Sequence, residues 1–181
     1  MTAQRWVTDL LDGTRPEQAA DPTPCTEYDV RALAEHLHAV SAKLRAMAEG
    51  DNPRDLPARV PLGDEAVADR YAAGAAEAMA AWSDDKLLTT TVTAPFGPAP
   101  GALALAGFVM ETVAHGWDLA TATGQPVEAE PAVVAVAQAV AERALGDGPR
   151  DPRLPFDDPV EPPAGAGPTA RLAAYLGRPA G

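Results

Sequence analysis

The stretch PGALALAGFVMETVAHGWDLATATG, residues 100–124, decides the fold class of this chain. It is dominated by alanine and other helix-favouring residues, and it closes on a glycine, which commonly ends a helix. Its larger apolar residues, such as Leu105 and Val113, cover one broad side at helical spacing. The pattern predicts a long, mostly apolar helix that begins near Pro100, ends at about Thr123 and packs against other helices.

The same helical period of apolar residues recurs in other parts of the chain. The clearest stripe belongs to the second predicted helix and consists of Leu33, Leu37, Val40, Leu44 and Met47. Thr26 and, three residues later, Asp29 resemble a capping box at the start of this helix, and Gly50 marks its end. Outside the quoted stretch, the predicted helices cover residues 2–11, 26–50, 64–82, 131–145 and 169–176.

Two segments between these helices are expected to be extended or irregular. Leu88–Thr93 favours β structure and is bounded by Pro95 and Gly97, which predicts one short strand or an extended loop. Residues 148–168 are rich in proline and should be irregular. The expected architecture is all-α: a four-helix bundle with a short extended connector and a proline-rich C-terminal segment that ends in a short helix.

The chain length of 181 residues suits one domain with one hydrophobic core. We expect residues 1–125 to form the core of the bundle. Residues 126–181 would add a further helix, the proline-rich segment and the short C-terminal helix to the same domain.

The charge and composition exclude several classes of function. The chain carries 14 basic and 26 acidic residues, a formal net charge of −12 at pH 7. Such a surface repels nucleic acid and anionic lipid, so neither is expected as a partner. No apolar run is long enough to span a membrane, no signal peptide is evident, and the single cysteine excludes an internal disulfide. We expect a cytoplasmic protein that acts on a small molecule.

Side chains that can bind a metal share one face of the helix in residues 100–124. Glu111 and His115 are four residues apart, and Asp118 follows three residues later. Small residues, among them Gly107, lie on the same face and leave room there. Asp118 is placed either to accept a hydrogen bond from the second nitrogen of His115 or to serve as a fourth ligand.

Two histidines of the second predicted helix point in different directions. At about 100° per residue, His36 lies about 60° from the centre of the apolar stripe and points toward the edge of the core. His38 falls on the opposite side and should face solvent. If the two helices are neighbours, His36 meets Glu111 and His115, and two histidines with one carboxylate leave positions open, as in catalytic zinc and non-haem Fe(II) sites.

Spacing alone leaves other interpretations open. Glu111, His115 and Asp118 also fit the solvated face of a helix, and a histidine such as His36 beside an apolar stripe is often only a residue of the core edge.

Cys25, just before the second helix, has the position of a nucleophile or thiolate ligand with a lowered pKa. The preferred interpretation is a small buried residue in a turn, since no histidine lies near it in the sequence.

Several motifs resemble a known bacterial family. PTPCTEYDVR (residues 22–31), LAEHL (residues 33–37) and METVAHGWDLATATGQP (residues 110–126) are similar to the signatures of proteins related to the N-terminal domain of mycothiol-dependent maleylpyruvate isomerase. That family belongs to the DinB-like metal-binding bundles. TVTAPFG (residues 91–97) and LAAYLGR (residues 172–178) resemble its connector and its tail.

The resemblance implies a divalent metal ion held by His36, Glu111 and His115. Zinc is the first expectation, and iron, nickel and manganese are alternatives. It also implies a thiol cosubstrate such as mycothiol. The known isomerase carries a second, C-terminal domain, and residues 126–181 are too few to form it, so isomerisation of maleylpyruvate itself is not expected.

The leading functional hypothesis is a metal-dependent thiol transferase or isomerase that acts on a small electrophile. A hydrolase or lyase that uses a metal-activated water is an allowed use of the same site. The alternative is a non-catalytic metal-binding or interaction module, such as a homodimer formed over the side that the short first helix leaves exposed. A fourth protein ligand that closes the metal site would favour this alternative.

Overall fold

A computed structural model describes residues 2–63, 66–146, 148–151 and 156–179. These parts of the chain form seven α-helices, two 3₁₀ turns and one two-stranded sheet. The helices and strands are α1 (Ala3–Asp12), α2 (Val30–Glu49), α3 (Val67–Ala81), α4 (Lys86–Thr89), β1 (Thr91–Ala94), β2 (Gly97–Pro100), α5 (Gly101–Thr123), α6 (Pro131–Leu145) and α7 (Pro168–Tyr175). The prediction of a mainly helical protein is confirmed.

The N-terminus of α2 lies after Asp29 and not near Thr26. Asp29 is the N-cap, and its Oδ1 accepts a hydrogen bond from the backbone N–H of Ala32 at 2.8 Å. The prediction of Thr26 as the cap was wrong because the chain before Asp29 forms a turn. In that turn the hydroxyl of Thr23 donates to the carbonyl oxygen of Tyr28 at 2.7 Å, which holds the backbone outside the helix.

The predicted apolar stripe of α2 is confirmed, since each of its five residues is at most 5% exposed. α2 packs against α3 on one side and against α5 on another, and α1 contacts both α3 and α5. α6 and α7 cover a further side of α5. Because neighbours surround α5 on most sides, its sequence is apolar over most of its circumference.

The connector between α3 and α5 contains more structure than predicted. Leu88 and the residue after it belong to the short helix α4, and the strand begins only at Thr91. β1 then pairs antiparallel with β2, with Val92 opposite Ala99 in the register. The second strand was missed because prolines occupy alternate positions in it, and proline disfavours strands. Gly97, at φ 122°, adopts the positive φ that glycine favours.

The other helix ends agree closely with the sequence patterns. α3 ends at Ala81, one residue before the predicted end at Trp82, and its predicted start at Asp64 lies outside the described residues. The helices predicted over residues 100–123 and 131–145 are present with ends that differ by at most one residue. Within the described residues, no helix combines the length and apolar character needed to cross a membrane.

The C-terminal segment folds back against α5 and α6. Its described residues before α7 contain neither helix nor strand, as predicted for this proline-rich stretch. Leu172 and Leu176 are completely buried and anchor α7. The backbone N–H of Arg178 then donates to the carbonyl of Ala173 at 2.9 Å. This turn directs the Arg178 side chain back toward α5.

Candidate metal centre

Three side chains from α2 and α5 bring their ligand atoms together where the two helices pack. His36 Nε2 lies 3.2 Å from Glu111 Oε1, and His115 Nε2 lies 3.9 Å from the same oxygen. One ligand atom from each of the three residues lies within 4.8 Å of the other two. α2 and α5 are therefore neighbours, which is the condition under which His36 was expected to meet Glu111 and His115.

The second nitrogen of each ring has a partner that determines where the ring proton lies. His36 Nδ1 lies 2.8 Å from the carbonyl oxygen of Ala58, and His115 Nδ1 lies 3.0 Å from Asp118 Oδ2. A carbonyl oxygen and an ionised carboxylate only accept hydrogen bonds, so both Nδ1 atoms carry protons. In the neutral rings, the Nε2 lone pairs therefore point toward Glu111.

Asp118 is fully buried and is held by a residue from the C-terminal tail. Arg178 Nε lies 3.1 Å from one carboxylate oxygen of Asp118 and 3.3 Å from the other. The hydrogen bond from His115 to Asp118, one of the two roles predicted for this carboxylate, is present. Sequence reasoning assigned no role to Arg178, and the only signal for it was its place in the motif LAAYLGR.

The interpretation of these residues as a solvated helix face is wrong for the histidine and the aspartate. The side chains of His115 and Asp118 are 10% and 0% exposed, whereas the Glu111 side chain is 38% exposed. Burial raises the pKa of Glu111, but the close contact with His36 and the nearby charges outweigh this effect and leave the pKa below its usual value. Glu111 is thus an ionised group on the open side of the cluster.

An aromatic ring covers one side of the histidine pair. The ring of Tyr28 stacks on His36 with 4.8 Å between the centroids, and it meets His115 edge-on at 6.4 Å. The two imidazoles are themselves nearly perpendicular, at 81° and 4.8 Å. These contacts restrict both rings and leave the side toward Glu111 as the open one.

Cys25 lies closer to this cluster than its place in the sequence suggested. Cys25, His115 and Asp118 form a second group whose ligand atoms lie within 4.8 Å of one another. Cys25 is 5% exposed, and burial raises the pKa of its thiol. Asp118 of this second group is already engaged by hydrogen bonds with Arg178 and His115.

The prediction that His38 faces solvent was wrong. Its side chain is half-buried between α2 and α3 and lies against Gly74, whose missing side chain makes room for the ring. His38 Nδ1 is buried without a hydrogen-bond partner among the described residues, and burial lowers the pKa of the ring. His38 is therefore separate from the cluster formed by the other two histidines.

A cavity of about 660 Å³ opens beside Glu111. Its walls come from α2, α5, α6, the hairpin formed by β1 and β2, and the C-terminal segment, and they are mostly apolar. The described lining residues are Val40, Lys43, Pro95, Phe96, Leu103, Gly107, Phe108, Met110, Glu111, Val140, Arg143, Ala144, Leu145 and Phe156. The small residue Gly107 thus borders open space next to the cluster, as its place on the face of Glu111 predicted.

The sequence matches the family model described as the mycothiol maleylpyruvate isomerase N-terminal domain over residues 2–120. The chain belongs to this family. The domain is DinB-like, and the matched residues include His36, Glu111 and His115, whereas α6 and Arg178 lie beyond them.

Two relatives come from Mycobacterium tuberculosis. They are the uncharacterized protein MT0763 of strain CDC 1551 / Oshkosh and the uncharacterized protein Rv0738 of strain ATCC 25618 / H37Rv. Each is 34% identical over 169 residues, which cover 93% of this chain and 90% of the relative. No solved structure matches the chain significantly.

Proposed function

We propose that this protein is an enzyme that holds one divalent metal ion, zinc in the first place, between His36, Glu111 and His115. The proposed reaction is the transfer of a thiol of the mycothiol type to a small electrophile, or a thiol-assisted isomerisation. The observation that carries the proposal is the convergence of His36 Nε2, His115 Nε2 and a carboxylate oxygen of Glu111, while the Nδ1 atom of each ring is held by another acceptor. A cation at their centre fits this donor set.

The protein holds the ligand atoms in place before a metal ion binds. The carbonyl of Ala58 orients His36, and Asp118 orients His115. Arg178 in turn donates to both carboxylate oxygens of Asp118 and compensates the negative charge. Such outer partners determine the tautomer and the orientation of the metal-binding rings.

The open side of the cluster favours an enzyme over a non-catalytic module. No fourth His, Cys, Asp or Glu of the described residues brings its ligand atom into the group formed with Glu111. Three protein ligands are typical of catalytic sites, whereas structural zinc sites are closed by four. A divalent ion bound here would lower the pKa of a thiol and favour the nucleophilic thiolate. The cavity beside Glu111 has room for the electrophile.

We also assign α1, α3, α2 and α5, which contact one another in this closed order, to a four-helix bundle of the DinB type. In this assignment α6, α7 and the proline-rich segment belong to the same domain. α6 and Phe156 line the cavity beside Glu111, and Arg178, which follows α7, reaches Asp118 in α5.

Metal analysis of protein purified without chelator tests the site. Wild type should contain about one divalent ion per chain, and His115→Ala should contain little. Cys25→Ala is the matched control, because it removes a buried side chain next to His115 and leaves the proposed ligands unchanged. Equal metal content in wild type and His115→Ala would refute the site. Loss of metal in Cys25→Ala as well as in His115→Ala would assign the ion to the second group, which shares His115.

Activity is tested with a panel of thiols, mycothiol included, and model electrophiles. Wild type and Cys25→Ala should form thiol conjugates or isomerised products, and His115→Ala should not. Metal-loaded wild type that turns over no member of the panel would argue for the non-catalytic module. The metal content of each sample is measured in parallel, so loss of metal and loss of chemistry are read separately.

A further inference from the structure

We propose that the cavity beside Glu111 binds an amphipathic organic anion, a small molecule with an apolar body and one carboxylate or similar acidic group. This inference names the substrate class of the proposed enzyme. That the bound molecule is a substrate rests on the proposed function, whereas its binding in the cavity does not. The cavity, its lining and its charges belong to the described residues themselves.

The size and lining of the cavity indicate an apolar body. At about 660 Å³ it lies within the range of roughly 300–1,000 Å³ that is usual for small-molecule sites. Phe96, Phe108 and Phe156 line it together with aliphatic side chains from α2, α5 and α6. Phe96 is 62% exposed, an unusual exposure for a large aromatic residue. An apolar ligand would cover this ring and the walls around it.

The charges of the cavity indicate an acidic group on the ligand. Apart from Glu111, the charged residues in the described lining are Lys43 and Arg143, both basic. Neither cation forms an ion pair with a residue that the structure describes. The chain has a net charge of −12 and almost twice as many acidic as basic residues. Two such cations at one cavity therefore favour an anionic ligand there.

The placement of Lys43 relates this acidic group to the metal centre. His36, Val40 and Lys43 follow one another at spacings of four and three residues, so they share one face of α2. Glu111 and Gly107 likewise share one face of α5, four residues apart. The cavity runs along these two faces from the cluster toward the hairpin. An anion held by Lys43 therefore positions the apolar body of the ligand next to Glu111.

Calorimetric titration with 4-phenylbutyrate tests the proposal, with 4-phenylbutanamide as the uncharged match and acetate as the anion without an apolar body. Wild type should bind 4-phenylbutyrate about tenfold more tightly than the amide, since one charged hydrogen bond contributes an effect of this order. Acetate should show no binding. Equal affinities for the acid and the amide would overturn the anionic part of the proposal.

Two variants locate the ligand in the cavity. Lys43→Met should weaken binding of 4-phenylbutyrate about tenfold and leave the amide unaffected. Lys86→Met is the matched control, because Lys86 is the other lysine of the chain and lies outside the cavity. Gly107→Leu adds a side chain inside the cavity and should weaken both ligands at least tenfold. Unchanged binding in Lys43→Met or in Gly107→Leu would overturn the proposed location.

The same samples separate this proposal from the metal site. Metal content is measured before each titration, and the titrations are repeated after treatment with a chelator. Binding that depends on Lys43 and persists without metal supports the cavity even if the proposed enzyme fails. Binding that disappears with the metal and is unchanged in Lys43→Met would place the carboxylate on the metal and overturn the role of Lys43.

Discussion

His36 and His38 lie two residues apart on α2, yet the structure places them in contrasting surroundings. His36 faces α5, and both of its ring nitrogens have partners, the carbonyl of Ala58 and the carboxylate of Glu111. His38 faces α3, and its buried Nδ1 has no partner among the described residues. Both rings are at least partly buried, so burial does not distinguish them. What makes His36 a candidate ligand is the set of polar groups around its ring.

Removal of Arg178 should have the largest effect on the α5 side of this comparison. Arg178→Met leaves the fully buried Asp118 with His115 as its remaining hydrogen-bond partner, and loss of one member of a buried pair typically costs about 3–5 kcal/mol. We expect a fall of about 3 kcal/mol in the free energy of unfolding, measured by urea denaturation.

Arg45→Met is the control for this measurement, because Arg45 forms exposed ion pairs with Glu49 and Glu77. Its loss should cost less than about 1 kcal/mol. Similar losses in the two variants would show that the contact between the tail and Asp118 contributes no more than a surface pair.

The two histidines themselves should differ in metal affinity. His36→Ala removes a proposed ligand and should weaken Zn²⁺ binding more than roughly 100-fold, the upper end of the effect expected for an outer partner. His38→Ala should leave affinity within about twofold. Competition with a chromogenic chelator measures both values, and equal losses would show that His36 has no special role.

Substitution of one glycine in α5 and one in α3 compares how tightly the two helices pack against their neighbours. A methyl group at Gly116 would meet the buried ring of Trp6, whereas a methyl group at Gly74 would meet the half-buried ring of His38. Gly116→Ala should therefore lower stability by about 2 kcal/mol through overpacking. Gly74→Ala should cost less than about 1 kcal/mol, because His38 can move and alanine favours the helix. Thermal unfolding of both variants measures the difference, and a larger loss for Gly74→Ala would contradict it.

Replacement of His38 by leucine should have the smallest effect. The unpartnered nitrogen costs free energy in the folded state, so its removal should leave the free energy of unfolding unchanged or raise it by up to about 1 kcal/mol. Metal content should equal that of wild type. A fall of about 2 kcal/mol or more in the free energy of unfolding, measured by urea denaturation, would contradict this. It would indicate that the His38 ring makes a stabilising hydrogen bond.

Much of the fold was predictable because its signals are local. The stripe of α2, the glycine at the end of α5 and the proline at the start of α6 each act through neighbouring residues, and the structure agrees with them. The strand β2 was missed because its prolines conceal it, and the start of α2 was misplaced because Thr23 makes a hydrogen bond that spacing does not reveal.

The sequence by itself determined which residues share a helix face. Glu111, His115 and Asp118 lie on one side of α5 because of the helical period, and the family motifs added His36 to them. Tertiary structure alone decided which faces meet. It brought Cys25 and Arg178 to Asp118, turned His38 toward α3, and opened a cavity between Glu111 and Lys43. The physical reason is that the helical period is set by bonds within one helix, whereas contacts between helices depend on how all of their side chains pack together.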